Sequence, residues 1–192
     1  ERLALDVVTF PQALQQAGYQ TGIFGKWHLG DEEAYLPQKR GFHEVLIHPA
    51  GGLCQYIWGD FKANEAAKYF DNVLLHNDTI VQTKGFCTYL FFDAGLAWTK
   101  KQLDAKQPFF TYISLNAPHG PMYAPEKNIK RFTDQGFEAK AAARDAAQRA
   151  SAKGRAASFR AALAAGQALP RNAQVAPLGS SEVLKEKKSA RL

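Results

Sequence analysis

The stretch Gly18 to Gly30, GYQTGIFGKWHLG, decides the fold expected for this chain. Its β-prone part, Thr21 to Trp27, predicts a strand that ends by presenting a cation, Lys26, and an imidazole, His28. Because side chains alternate along extended backbone, residues two apart are expected to share a face. A fixed positive charge beside a titratable ring suits an anionic ester whose charge must be neutralised during transfer. On these two residues alone, a surface lysine and a half-buried histidine closing an ordinary strand is the commoner explanation.

Local patterns on either side of this stretch predict a layered α/β domain. Thr9 and Gln12 have capping-box spacing before an apolar stripe that stops at Gly18, which indicates a helix leading into the strand. A second apolar run, Phe109 to Leu115, is typical of a buried strand of a mostly parallel sheet. Between the two runs, the segment 90–101 predicts a helix with one apolar face.

The glycine-rich stretch closely resembles the second signature of the sulfatase family, whose Gly-Tyr-x-Thr and Gly-Lys-x-His elements it reproduces residue for residue. The resemblance continues downstream in the same order. Residues 35–42 match the family's Pro-x-x-Arg-Gly-Phe loop, residues 85–93 resemble the segment that opens a later helix in bacterial arylsulfatase-like members, and residues 108–121 match a strand and turn. The likeness covers about residues 1 to 135, and it favours the functional interpretation of the signature.

This resemblance implies an alkaline-phosphatase-like fold and the hydrolysis of a sulfate ester to an alcohol or phenol plus sulfate. Lys26 would pair with a sulfate oxygen, and His28 would hydrogen-bond the hydroxyl of a formylglycine nucleophile and help to expel sulfate. His119, delivered by the second strand, would contact the sulfate and assist protonation of the leaving oxygen. The implied substrate is a small sulfate ester or a sulfated glycan, and the family favours a periplasmic or secreted location.

Two other functions stay open at the level of sequence. A phosphonate or phosphodiester hydrolase shares the superfamily fold but recognises a different anion charge. A non-catalytic basic protein would instead bind nucleic acid through its carboxyl-terminal part. Against the second alternative, the basic residues behind the net charge of +6 are concentrated in that part, and the front of the chain is near neutral.

The nucleophile and the metal ligands of the family have no match in this sequence. The resemblance implies calcium, and a formylglycine made from the cysteine of a Cys-x-Pro-Ser-x-Arg motif. Cys54 and Cys87 lack the following Pro and Arg, and both are interpreted as small buried side chains. The acidic run Asp31 to Glu33 is interpreted as a solvated turn rather than a metal site. We therefore expect an internal piece of a sulfatase that is inactive alone.

Three further histidines are weaker candidates for the site. His43 is expected to have a conformational role, His48 precedes a flexible glycine stretch that lines a pocket in one interpretation, and His76 indicates a surface turn. No His-x-x-His or Cys-x-x-Cys spacing indicates zinc.

Composition divides the chain into two parts. Only one aromatic residue, Phe159, lies beyond Glu138, where Ala, Lys and Arg dominate. The predicted organisation is a partial catalytic domain over 1–135, with long loops and short elements over 42–85, and a tail over 136–192. The tail is expected to be helical in patches, exposed and poorly packed. It is a disordered extension, a nucleic-acid-binding segment or an aberrant terminus after a frameshift. No run long enough to span a membrane and no signal peptide is visible.

Overall fold

The structure is a computed structural model that describes residues 2–30, 32–48, 69–117, 119, 122–147 and 149. In chain order its elements are helix α1 (Phe10–Gln16), strand β1 (Gln20–Lys26), two 3₁₀ turns (Glu33–Tyr35 and Pro37–Arg40), strands β2 (Glu44–His48), β3 (Val73–His76) and β4 (Thr79–Gln82), helix α2 (Cys87–Asp104), strand β5 (Phe109–Ser114) and helix α3 (Glu126–Thr133). Residues 139–147 form a further helical stretch. Within the described ranges, no helix has the length and apolar character needed to cross a bilayer.

The strands form one five-stranded sheet in the order β4-β3-β2-β1-β5. β1 is parallel to β2 on one side and to β5 on the other, whereas β3 and β4 extend the sheet as an antiparallel hairpin. The predicted α/β class is confirmed, and so is the placement of the two apolar runs in one parallel sheet. After β1 the chain continues to β2 on one side of β1 and returns later, through α2, to β5 on the other side. Ligands of open α/β sheets bind where the strand order reverses in this way.

β1 is buried on both faces because its neighbours cover it with apolar side chains. Phe24 faces α2, where its ring centroid lies 6.0 Å from that of Trp98. Ile23 packs on the opposite face with Val45 of β2. Gly22 lets α2 approach the strand, since a Cβ at this position would lie 3.1 Å from the Trp98 ring. This interior strand of the sheet is therefore held in place from both sides.

Both helices predicted for the front part are present. The Thr9 side chain accepts a hydrogen bond from the Gln12 backbone N–H, and the Gln12 side chain accepts one from the Thr9 backbone N–H at 2.8 Å, which completes the capping box. α1 then stops at the positive φ of Gly18, 83°. α2 ends at Asp104, ahead of Pro108, which cannot continue a helix.

The helical stretch 139–147 overturns part of the expectation for the tail. Ala142, Ala146 and Ala147 are buried in a small cluster with Phe132 of α3, so one side of this stretch is packed rather than exposed. The expectation was wrong here because it required large apolar residues on the tail itself. Alanine lets a helix approach closely, and α3 supplies the large ring. Residues 148 and 150–192 lie outside the described part, and the domain boundary near 135 stays a prediction.

Candidate functional site

The carboxyl ends of β2, β1 and β5 meet at one edge of the sheet, because the three strands are parallel. Lys26, the last residue of β1, is in register with His48, the last residue of β2. On the other side Gly25 is in register with Ser114, the last residue of β5. The structure thus gathers a lysine and a histidine at the edge where open α/β sheets hold their ligands.

The backbone before Lys26 lies unusually close to β5. Gly25 has a φ of 129°, and a Cβ at this position would lie 1.8 Å from the Ser114 carbonyl oxygen. The Ser114 hydroxyl in turn donates to the Lys26 carbonyl oxygen at 2.6 Å. Glycine is required here on both counts, since it removes the clash and tolerates the positive φ. The Lys26 side chain remains partly exposed beyond this tight contact.

His28 lies two residues beyond the strand, in left-handed backbone with a φ of 62°. Strand alternation therefore does not fix the direction of its ring, contrary to the expectation from sequence. The turn is anchored by Trp27, whose backbone N–H donates to the His48 carbonyl at 3.2 Å and whose indole N–H donates to the Tyr35 carbonyl at 3.0 Å. A non-glycine residue at positive φ is uncommon, although histidine is among the types that adopt it.

His119 follows the carboxyl end of β5 and is exposed. Its backbone N–H donates to the Asn116 carbonyl at 2.8 Å, and its own carbonyl accepts from the Tyr69 hydroxyl at 3.3 Å. Lys26 therefore ends β1, and His28 and His119 follow the parallel strands β1 and β5 at the same edge of the sheet. From the sequence we also predict that His28 and His119 lie within about 12 Å of each other, a distance that one small bound ester can bridge through hydrogen bonds of a few ångströms.

A buried polar pair behind this edge does not emerge from sequence reasoning. His48 is 3% exposed, Asn116 is 7% exposed, and His48 Nε2 lies 2.8 Å from Asn116 Oδ1. The His48 ring also lies against Phe91 of α2, with centroids 6.3 Å apart. The sequence suggests His48 only as a pocket-lining residue. The available signal for Asn116 is a polar residue directly after the predicted strand Phe109 to Leu115.

His43 and His76 lie away from this edge. His43 Nδ1 accepts a hydrogen bond from the Thr21 backbone N–H at 3.2 Å, near the amino end of β1, in keeping with the conformational role expected for it. His76 Nε2 lies 2.8 Å from a carboxylate oxygen of Glu44 at the surface. Neither histidine is positioned to act beside Lys26.

The described residues do not fit a calcium site or a formylglycine precursor. They contain no group of three or more His, Cys, Asp or Glu side chains that could hold a metal. Burial raises the pKa of the Cys87 thiol to about 12, so its thiolate is scarce at neutral pH. Glu32 of the acidic run is exposed and pairs with Arg2. Cys54 and Asp31 lie outside the described residues.

Comparison with known proteins gives one consistent family. The Sulfatase family model matches residues 1–169. An uncharacterized sulfatase of Schizosaccharomyces pombe is 33% identical over 130 residues, which are 66% of this chain and 24% of that protein. An arylsulfatase of Klebsiella aerogenes is 29% identical over 136 residues, 70% of this chain and 29% of that protein. The chain thus spans about a quarter of the length of the curated relatives it matches.

Solved structures show the same similarity. A protein crystallised with a k-i-k-neocarrahexaose aligns with a TM-score of 0.70 at 24% identity, over 87% of this chain and 39% of that chain, and at this identity the likeness supports the fold alone. A second protein, solved in complex with its substrate D-glucosamine-2-N,6-O-disulfate, aligns with a TM-score of 0.53 at 28% identity, over 72% of this chain and 24% of that chain.

Proposed function

This chain belongs to the sulfatase family. We propose that the carboxyl ends of its parallel strands β2, β1 and β5 form part of the sulfate-binding site of a sulfuric ester hydrolase. The observation that carries the proposal is the position of Lys26, partly exposed at the end of β1 with His48 beside it in register. His28 lies in the turn after the same strand, and His119 follows the neighbouring parallel strand. One cation and two imidazoles at a shared edge suit an oxyanion.

Each of the three side chains has a distinct proposed role. The Lys26 ammonium neutralises a sulfate oxygen, and it does so best when its backbone is fixed, as the Ser114 hydroxyl fixes it. The exposed His119 contacts the sulfate and gives a proton to the ester oxygen as its bond to sulfur breaks, so that the leaving group departs as a neutral alcohol or phenol. His28 is the second group that transfers a proton. It lies on the opposite side of the sulfur from the leaving group and hydrogen-bonds the hydroxyl of the nucleophile.

Formylglycine and calcium are expected for the intact family, but the described residues fit neither. The roles proposed for Lys26, His28 and His119 are therefore limited to binding and proton transfer. The substrate class is a sulfate ester, either a small molecule or a sulfated glycan. Among the relatives, several carry the name N-acetylgalactosamine-6-sulfatase, and the D-glucosamine-2-N,6-O-disulfate complex gives a second sulfated sugar. A periplasmic or secreted location completes the proposal.

Sulfate binding by the chain tests this proposal without requiring turnover. Wild-type chain, Lys26→Met and the control Lys100→Met would be titrated with sodium sulfate at constant ionic strength, and histidine ring signals would be followed by NMR. Lys100 is an exposed lysine paired with Asp104 on α2, so its loss leaves the edge intact. We expect saturable shifts in the wild type and in Lys100→Met, and their loss in Lys26→Met.

Titration with phosphate and with methylphosphonate separates the superfamily alternative. Binding of these anions in clear preference to sulfate would favour a phosphonate or phosphodiester hydrolase. Equal sulfate affinity in Lys26→Met and Lys100→Met would contradict the proposed role of Lys26. A salt-sensitive association with DNA that deletion of residues 139–192 abolishes would favour the non-catalytic basic protein instead.

A further inference from the structure

The buried pair His48–Asn116 connects the two segments that carry the proposed sulfate contacts. The His48 carbonyl accepts from the backbone N–H of Trp27, which lies between Lys26 and His28. The His48 ring contacts the side-chain oxygen of Asn116 at 2.8 Å. One residue of β2 therefore touches the turn after β1 with its backbone and the turn after β5 with its side chain.

Asn116 continues the connection toward His119. Its side-chain oxygen contacts His48, and its backbone carbonyl accepts from the His119 N–H at 2.8 Å. The conformation of Asn116 therefore sets the start of the turn on which His119 lies.

The surroundings of the His48–Asn116 contact make its loss costly. Both residues are buried, and the His48 ring lies against Phe91, so water does not easily replace a lost partner. An amide oxygen only accepts hydrogen bonds, which requires that His48 Nε2 carry the proton. The tautomer of His48 is thus fixed by Asn116, in the way that the neighbours of an active-site residue hold its orientation.

We propose that His48 is a positioning residue, which acts through Asn116 to fix His119 relative to Lys26. The inference rests on the proposed sulfate site for its functional meaning. Two contacts to one anion require a fixed spacing, and small misplacement of a binding group is costly. The pair supplies this spacing from behind the edge, without touching the substrate.

The test compares two substitutions of His48 that differ in hydrogen bonding. His48→Phe keeps a ring of similar size but loses the donor, whereas His48→Gln keeps an N–H donor near the position of Nε2. We expect His48→Phe to shift the His119 ring signals and to weaken sulfate binding about tenfold, a loss of about 1.4 kcal/mol. His48→Gln should restore both to within about twofold of the wild type.

A double-mutant cycle with Asn116→Leu sharpens the test. The double variant His48→Phe/Asn116→Leu should bind sulfate no more weakly than the worse single variant, because the two residues act as one unit. A folded His48→Phe that leaves the His119 signals unchanged would overturn the inference, as would a His48→Gln no better than His48→Phe. Circular dichroism and thermal melting establish that each variant is folded.

Two further readouts keep the inference testable in every case. The ¹⁵N chemical shifts of His48 in the wild type report its tautomer, and an unprotonated Nε2 would overturn the inference even if His48→Phe does not fold. If the wild type binds no sulfate, the proposed function fails, but the response of the His119 signals to His48→Phe and His48→Gln still decides whether His48 positions that residue.

Discussion

The two ends of β1 use the same kinds of side chain for different purposes. At the amino end, Arg40 is 4% exposed and donates to the carbonyls of Ala4, Leu5 and Val7 at 3.0, 3.3 and 2.9 Å. At the carboxyl end, Lys26 is partly exposed beyond a backbone held by Ser114. A cation whose donors meet backbone carbonyls stabilises the chain, whereas a cation left at a strand end is available to an anion.

The largest loss of stability is expected when a methyl group is added where β1 approaches β5, at the carboxyl end of β1. Gly25→Ala should destabilise the chain by about 4 kcal/mol or more, because the new Cβ clashes with the β5 backbone at positive φ. Gly85→Ala is the matched control, since Gly85 has a φ of 109° and no atom within 4 Å of the place that an added methyl group would occupy. It should cost only the backbone strain, about 1–2 kcal/mol.

Urea unfolding of the two glycine variants measures the difference. A Gly25→Ala variant no less stable than Gly85→Ala would show that β1 and β5 do not approach as closely as described.

Replacement of Arg40 should destabilise the folded chain almost as strongly as Gly25→Ala does. Arg40→Met should lower the free energy of unfolding by about 3 kcal/mol, because the buried Arg40 guanidinium makes three charge-assisted hydrogen bonds to backbone carbonyls that methionine cannot make. The exposed Lys100→Met is the control and should change stability by less than about 0.5 kcal/mol. Equal stability of the two variants would remove the structural role assigned to Arg40. Under conditions where Arg40→Met is folded, its sulfate affinity should match the wild type.

The next smaller effect is expected for Cys87, a titratable side chain that is buried at the start of α2. Its raised pKa, about 12, predicts very slow alkylation by iodoacetamide at pH 8 in the folded chain and rapid alkylation in urea. Above pH 9 the unfolded thiol ionises while the folded thiol stays neutral, so this group should lower stability as pH rises toward 12. Mass spectrometry of the peptide containing Cys87 gives the rate, and fast labelling in the folded state would contradict its burial.

The smallest expected signal is turnover itself. The chain supplied with calcium and a formylglycine-generating enzyme should not hydrolyse an aryl sulfate above background, because the described residues hold neither nucleophile nor metal ligands. Activity that disappears in Lys26→Ala or His28→Ala would contradict this, and Cys54 would then be the first candidate nucleophile.

Much of the fold follows from local sequence. The capping box of Thr9, the apolar run of β1 and the one-sided apolar pattern of α2 each depend on residues a few positions apart, so they are visible without tertiary structure. The burial of Ala142 is not visible in this way because it depends on Phe132, a ring contributed by another helix. The partnership of His48 with Asn116 is hidden for the same reason, since it joins residues 68 positions apart.

Local patterns in the sequence were enough to identify the family, the parallel strands β1 and β5 and the candidates Lys26, His28 and His119. A glycine-rich signature and an apolar run are both complete within a few neighbouring residues. The folded arrangement was needed to establish that His28 leaves the strand in left-handed backbone, that Cys87 is buried, and that His48 lies in register with Lys26. These properties depend on which strand ends lie side by side and on what covers them, and packing between distant segments sets both.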